Sequence, residues 1–136
     1  MLPQINLIAV IAATVFSMAL GMLWYGPLFG KAWMKTMNLD KKKTASMKTA
    51  TQKAYAYSTL ASLITAFVLA VVVKYFGVTT ITTGAITGLL VWVGFVATTT
   101  INGVLFENKP AKAYMIYNTY QLVWFAISGA MLAVWM

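Results

Sequence analysis

A chain of 136 residues that is 61% hydrophobic and only 9% charged falls far short of the roughly one-quarter charged composition of an ordinary soluble domain, which places it in a membrane. Its net charge of +8 comes from lysine without a single arginine, so it lacks the arginine-rich, aromatic-studded surface expected of a nucleic-acid binder. Cysteine and histidine are absent, which excludes disulfides, thiolate chemistry and cysteine metal sites and removes the commonest general base and metal ligand.

In chain order, no lysine or acidic residue occurs before Lys31, between Lys53 and Lys74, between Lys74 and Glu107, or after Lys112. Each uncharged block can supply the roughly 20 apolar residues that a helix needs to cross a hydrocarbon core about 30 Å thick. The expected fold is all-α, an integral membrane four-helix bundle forming one domain over 1–136, with crossings near 5–25, 54–73, 82–106 and 113–135. The first block reads as a crossing rather than a cleaved leader despite Ser17-Met18-Ala19. No lysine precedes it, and its apolar run outlasts a signal h-region.

After the first block comes "LGMLWYGPLFGKAWMKTMNLDKKK". Trp24 and Tyr25 fall where an interfacial aromatic belt belongs, and Gly26-Pro27 is expected to stop the helix, since proline disfavours helical geometry in the residue before it. From Pro27, Phe29, Trp33 and Met37 recur every four residues, with Lys31 and Lys35 opposite. This pattern predicts a short cytoplasmic interfacial amphipathic helix near 27–38. Asn38 is expected to end it and Asp40 to cap a cytoplasmic extension, from about residue 40, that runs into the second crossing. Trp24, Tyr25, Gly26, Pro27, Phe29, Gly30, Lys31 and Trp33 therefore form a candidate functional loop: an anchoring elbow, or else a gate or docking plate.

Lysine sets the orientation. Seven lysines separate the first two blocks and Lys109 and Lys112 the last two, against Lys74 alone in the intervening turn. The positive-inside rule then puts both termini outside the cytoplasm, in a bacterial inner membrane. Lys41, Lys42 and Lys43 are suited to anionic lipid headgroups, each contributing about 1 kcal/mol.

Within the crossings, small residues repeat at intervals of four: Ala9, Ala13, Ser17 and Gly21, then Ala54, Ser58, Ser62, Ala66 and Ala70, then Gly84 and Gly88, and finally Gly129 and Ala133. Such stripes let helix backbones approach closely in lipid. The polar residues of the crossings are uncharged. Asn6, Asn102, Asn118, Gln121 and Ser128 make up a candidate polar membrane face, with Phe125 sharing the face of the last helix and Tyr114 and Tyr117 extending it. Such groups ordinarily hydrogen-bond across helices, and no buried acid marks a proton path. Glu107 is a candidate boundary carboxylate beside Asn108 and Lys109, read first as a solvated helix end. A faint echo relates Gly21 to Trp24 and Lys31 to Met34 with Gly103 to Phe106 and Lys112 to Met115, as a duplicated helix pair would.

"GMLWYGPLFGKAW", "WVGFVATTTINGVLFENKP" and "YMIYNTYQLVWFAISGAML", in this order, resemble the family of small membrane proteins called domain of unknown function 1761, most specifically in Trp24 to Lys31. The resemblance implies a four-helix membrane protein and carries over no catalytic residue. The residues favour a bundle acting by helix association, as a homo-oligomer or accessory subunit. The alternative is an oligomeric transporter or channel for a neutral or weakly polar solute. No enzyme activity, cofactor or metal site is expected, because acid–base groups are too few. Cysteines introduced singly at Ser46 and Thr79 are predicted to react with an impermeant thiol reagent from opposite membrane faces; reaction of both from one face contradicts this topology.

Overall fold

Asn6 starts the first helix. The computed structural model describes residues 3–36 and 48–135, apart from the side chains of 48–51, and these residues contain helices and no strand. Asn38, Asp40, the block Lys41 to Lys43, and the expected helical extension before residue 48 lie outside the described residues. Helix α1 spans Leu7–Leu23, and the extended Asn6 accepts from the N–H groups of Ile8 at 3.1 Å and Ala9 at 3.3 Å, satisfying two of the donors that a helix start leaves open.

The chain does not leave helical geometry at Gly26-Pro27. It continues as a π-helical turn, π1, over Trp24–Leu28, with Pro27 inside it. Proline has no N–H for the α-ladder, and the next link widens: the N–H of Phe29 reaches the carbonyl of Trp24, five residues back, at 2.8 Å. Phe29 (φ −123°, ψ 8°) then turns the chain into α2, Gly30–Thr36. Gly30 is required by this turn, because a Cβ there would stand 2.5 Å from the Tyr25 carbonyl oxygen.

Helix α3, Lys48–Tyr75, closes with Gly77 at φ +66°, where the N–H of Gly77 bonds Lys74 O at 3.1 Å and that of Val78 bonds Val73 O at 3.0 Å. This pair is a Schellman cap, which needs the left-handed geometry glycine provides. Thr80 then caps α4, Ile81–Val91, accepting from Thr83 N–H at 3.1 Å.

The third crossing expected near 82–106 corresponds to the helical stretch Ile81–Phe106, but its helical form changes along its length. A second π turn, π2, covers Trp92–Ala97, followed by α5, Thr98–Thr100, a break at Ile101, and α6, Asn102–Phe106. Thr98, Thr99 and Thr100 donate to the carbonyls of Gly94, Phe95 and Val96, four residues back, at 2.9, 2.8 and 2.7 Å. Back-bonding of this kind bends helices. Asn108, at φ 54°, and the bond from Lys109 N–H to Gly103 O turn the chain into α7, Ala111–Val134.

Three helical stretches, Leu7–Leu28, Gln52–Tyr75 and Ile81–Phe106, are long and apolar enough to cross a membrane. Helix α7 has 24 residues, about 36 Å at the α-helical rise, but is interrupted by Asn118, Gln121 and tyrosines. It is the element on which the others converge: α4, α1, α3 and α2 all pack against it. Gly84 and Gly129 bring α4 and α7 into backbone contact, since a Cβ on Gly84 would lie 2.5 Å from Gly129 O and 2.7 Å from the Ala133 Cβ. A Cβ on Gly88 would run into the Phe125 carbonyl. Ala9, Ala13, Ala66 and Ala70 are buried beside Val10, Leu69, Val73, Trp124 and Leu132. Apart from Trp124, which stands at the boundary, these residues lie toward the end of the molecule that holds Asn6, the α3–α4 turn and Val134, and that half is closely packed.

Overpacking typically costs about 1–3 kcal/mol. Gly88→Ala is therefore expected to lower the thermal unfolding midpoint of the detergent-solubilised protein by several degrees. Gly94→Ala, at a position where a Cβ meets nothing within 4 Å, is expected to leave it unchanged. Equal midpoints for the two variants would contradict the α4–α7 contact.

Candidate functional site

Helix α7 presents two hydrogen-bonding edges. On the edge toward α1 and π1, Trp24 Nε1 donates to Ile116 O at 3.0 Å, Tyr120 Oη to Ser17 O at 2.7 Å, and Trp124 Nε1 to Ala13 O at 3.0 Å. On the edge toward α4 and π2, Trp92 Nε1 donates to Asn118 O at 3.0 Å and Tyr114 Oη to Ala97 O at 2.8 Å. Asn118 gives Nδ2 to Tyr114 O at 3.0 Å, and its Oδ1 lies 3.1 Å from Thr100 Oγ1, whose single proton it shares with Val96 O at 2.7 Å. In hydrocarbon an indole N–H or phenol without a partner would be costly, and here each meets a carbonyl on a facing element.

One group of bonds has a direction. Tyr120 has a single proton, given to Ser17 O, so the Ser17 hydroxyl, 3.0 Å from Tyr120 Oη, donates to it. The Ser62 hydroxyl, 3.1 Å from Ser17 Oγ, then donates in turn. The chain Ser62 to Ser17 to Tyr120 leaves Ser62 with its oxygen lone pairs free.

Ser62 faces a cleft of about 1000 Å³ in the half of the molecule opposite the closed core. Its floor is formed by Ser17, Gly21, Tyr120 and Trp124; one wall is Tyr55, Ser58, Ser62 and Thr65 of α3, and the other is Thr100, Gly103 and Val104 with Asn118 and Gln121 of α7. Tyr25, Trp33 and Met34 close the end nearest α2, where Lys109 also stands. The loop 24–33 is held there by rings. Trp24 meets Phe29 at 4.9 Å and Tyr120 at 6.4 Å, while Tyr25 meets Trp33 at 5.5 Å, edge on, and Tyr120 at 5.9 Å.

Of the residues singled out from sequence, Tyr25, Trp33, Asn118 and Gln121 meet in this cleft. Trp24 and Phe29 support it from behind, Gly30 is buried under Tyr25, and Gly26, Pro27 and Lys31 are exposed. Asn6 is an N-cap, Asn102 is exposed on α6, and Ser128 is fully buried, with no hydrogen-bond partner for its hydroxyl among the described residues. Glu107 is exposed and paired with Lys109 at 3.2 Å, an arrangement that contributes little in water. Tyr120, Trp124 and Trp92 were not selected from the sequence. The signal lay in tryptophans far from either predicted interface, whose N–H groups need partners.

The lining offers hydroxyls, amides and aromatic faces. Among the described residues no group of three or more acidic, histidine or cysteine side chains could hold a metal ion. The chemistry available is hydrogen bonding and stacking toward an uncharged guest. The described residues are helical, with three stretches long and apolar enough to cross a membrane and a cleft of mixed apolar and polar lining among the helices. The chain belongs to the family described as "Protein of unknown function (DUF1761)", which matches it over residues 8–133. Neither a curated protein nor a solved structure matches the chain.

Removing one hydrogen bond of the α1–α7 edge typically costs about 1 kcal/mol. Tyr120→Phe and Trp124→Phe are each expected to destabilise the protein by that amount in thermal or denaturant unfolding. Tyr117→Phe, whose hydroxyl bonds no other described residue, is expected to be neutral. Equal effects of all three substitutions would contradict the directional bonds.

Proposed function

We propose that the protein crosses the membrane four times, with its lysine-bearing connections in the cytoplasm and both termini outside, and that it holds an uncharged, weakly polar molecule in the cleft. In this reading α7 is the fourth crossing, and its polar residues are tolerated in the bilayer because they face neighbouring helices and the cleft. Helix α2 lies at the cytoplasmic interface with Trp33 turned to the cleft and Lys31 and Lys35 to water. The observation that carries the reading is the cleft itself: a space of about 1000 Å³ reaching mid-helix depth, with a largely apolar lining in which uncharged hydrogen-bonding groups such as Ser62 and Gln121 are set.

Gln121 supports it further. Its amide lines the cleft and bonds no other described residue, a costly state at membrane depth unless a guest or water completes it. Action through association draws less support, because most of the small residues that suggested it, Ala9, Ala13, Ala66, Ala70, Gly84, Gly88, Gly129 and Ala133, are buried inside the chain, although Ala54 and Ser58 are exposed. Transport of a neutral or weakly polar solute is the second reading. The feature favouring it is one-sidedness: the half toward the α2 end is open, while the half toward the termini is sealed by glycine, alanine and Trp124.

Native mass spectrometry of gently extracted protein tests the proposal. The wild-type chain is expected to carry a non-covalent organic adduct. Ala61→Trp, which fills the cleft from its α3 wall, is expected to lose the adduct while unfolding within a few degrees of wild type. A bare wild-type chain would contradict the proposal.

A further inference from the structure

We infer that the guest is a neutral amphiphile drawn from the bilayer, with a hydroxyl-bearing head and a hydrocarbon chain, entering sideways between α3 and α6; this rests on the cleft being a binding site. Four observations converge on that class.

The first is size. A volume of about 1000 Å³ is at the upper end for small-molecule sites and far exceeds what a small polar solute fills. The second is access. One wall belongs to α3, which packs along α1 and α7, and the other to α6, which packs on α7, so the cleft parts the two. Leu60, Leu63 and Ile64 of α3 and Leu105 and Phe106 of α6 are exposed and apolar, and by helical spacing they lie on the faces of the two elements turned away from the cleft. Both elements that part at the cleft thus turn apolar outer faces to their surroundings, and in a bilayer the gap between them meets lipid chains.

The third observation concerns charge. Among the described residues, Lys109 is the single charged side chain in the lining, and it stands at the end near α2 and already pairs with Glu107. A phosphate or ammonium head drawn deep into the cleft would find no partner and would lose its hydration. The fourth concerns donor direction. Ser62 closes the chain to Tyr120 with its proton, so it offers the cleft an acceptor, and Gln121 offers both an acceptor and a donor. An alcohol, which donates and accepts, fits both at once, and a ketone or ester carbonyl can satisfy only Gln121. Met18, Met22, Ala61, Val104 and the rings of Tyr25 and Trp33 leave an apolar path for a chain beside that head.

The test uses delipidated, detergent-solubilised full-length protein titrated with three probes: 1-monooleoylglycerol, oleoyl lysophosphatidylglycerol and water-soluble glycerol monobutyrate. Bound mass and the unfolding midpoint are read together. The inference expects one monooleoylglycerol per chain, held at least tenfold tighter than either other probe. Gln121→Leu is expected to weaken it by roughly threefold to thirtyfold, the range that one lost membrane hydrogen bond covers. If glycerol monobutyrate binds as tightly, the cleft stands as a site and the lipid assignment falls. If the lysophosphatidylglycerol binds as tightly, neutrality falls. Binding of none of the three, with no midpoint shift, overturns both the inference and the reading beneath it.

Discussion

A hydrogen-bond donor away from water needs a partner within the protein, and here the donors are large: three indoles and two phenols, each reaching a carbonyl on another element. Four of these bonds anchor α7 to α1 on one edge and to π2 on the other, and Trp24 adds a fifth from π1. Each links two helices at one height and in one rotation, because a planar N–H or a rigid phenol can meet a carbonyl only from a narrow range of directions. Apolar packing alone lacks that selectivity in lipid, where the surroundings are as apolar as the side chains. The placement of α7 at the centre, although it lacks the long apolar stretch of the other long helices, follows from this constraint.

The two halves of the molecule answer the same constraint differently. Toward the termini, glycine and alanine let backbones touch, and almost nothing polar needs a partner apart from the hydroxyl of Ser128. Toward α2, tyrosine, serine, threonine, asparagine and glutamine replace them, and bulky rings hold the helices apart. The π turns belong to that arrangement. One carries Trp24 to Ile116 and Tyr25 to the cleft wall; the other carries Trp92 to Asn118 and leads into the threonine run that sets Thr100 on Asn118. A widened helical turn re-aims the side chains after it, and for that reason such turns recur where function requires a particular projection.

Much of the helical layout was legible, because lysines and the Asp/Glu gaps punctuate it: the stretch near 82–106 corresponds to Ile81–Phe106, and that near 54–73 lies within Lys48–Tyr75. The glycine pairs were legible too, since close approach depends on lacking a side chain. The interior of the helices was less so. A π turn leaves the apolar pattern intact, so Gly26-Pro27 pointed to a break but not to the π turn over Trp24–Leu28, and Trp92–Ala97 gave no such sign. Reading one face through Asn118, Gln121, Phe125 and Ser128 followed polarity, while the edge that organises α7 runs through Ile116, Tyr120 and Trp124, where the polar atom sits at the tip of an apolar body. Asn6 looked like part of a polar face because its position just before an apolar run, which marks an N-cap, was given less weight than its side chain.

The division into a closed half and an open half is the claim on which the functional reading depends, and a cysteine scan along α7 tests it most directly in a chain with no native cysteine. Single cysteines at Ala113, Tyr117, Gln121, Ser128 and Leu132 would be treated in membranes with a small uncharged maleimide. The account predicts labelling at Ala113, Tyr117 and Gln121 and protection at Ser128 and Leu132, with the boundary at Trp124. Uniform protection along the helix, or labelling at Ser128 and Leu132 as fast as at Gln121, would contradict it.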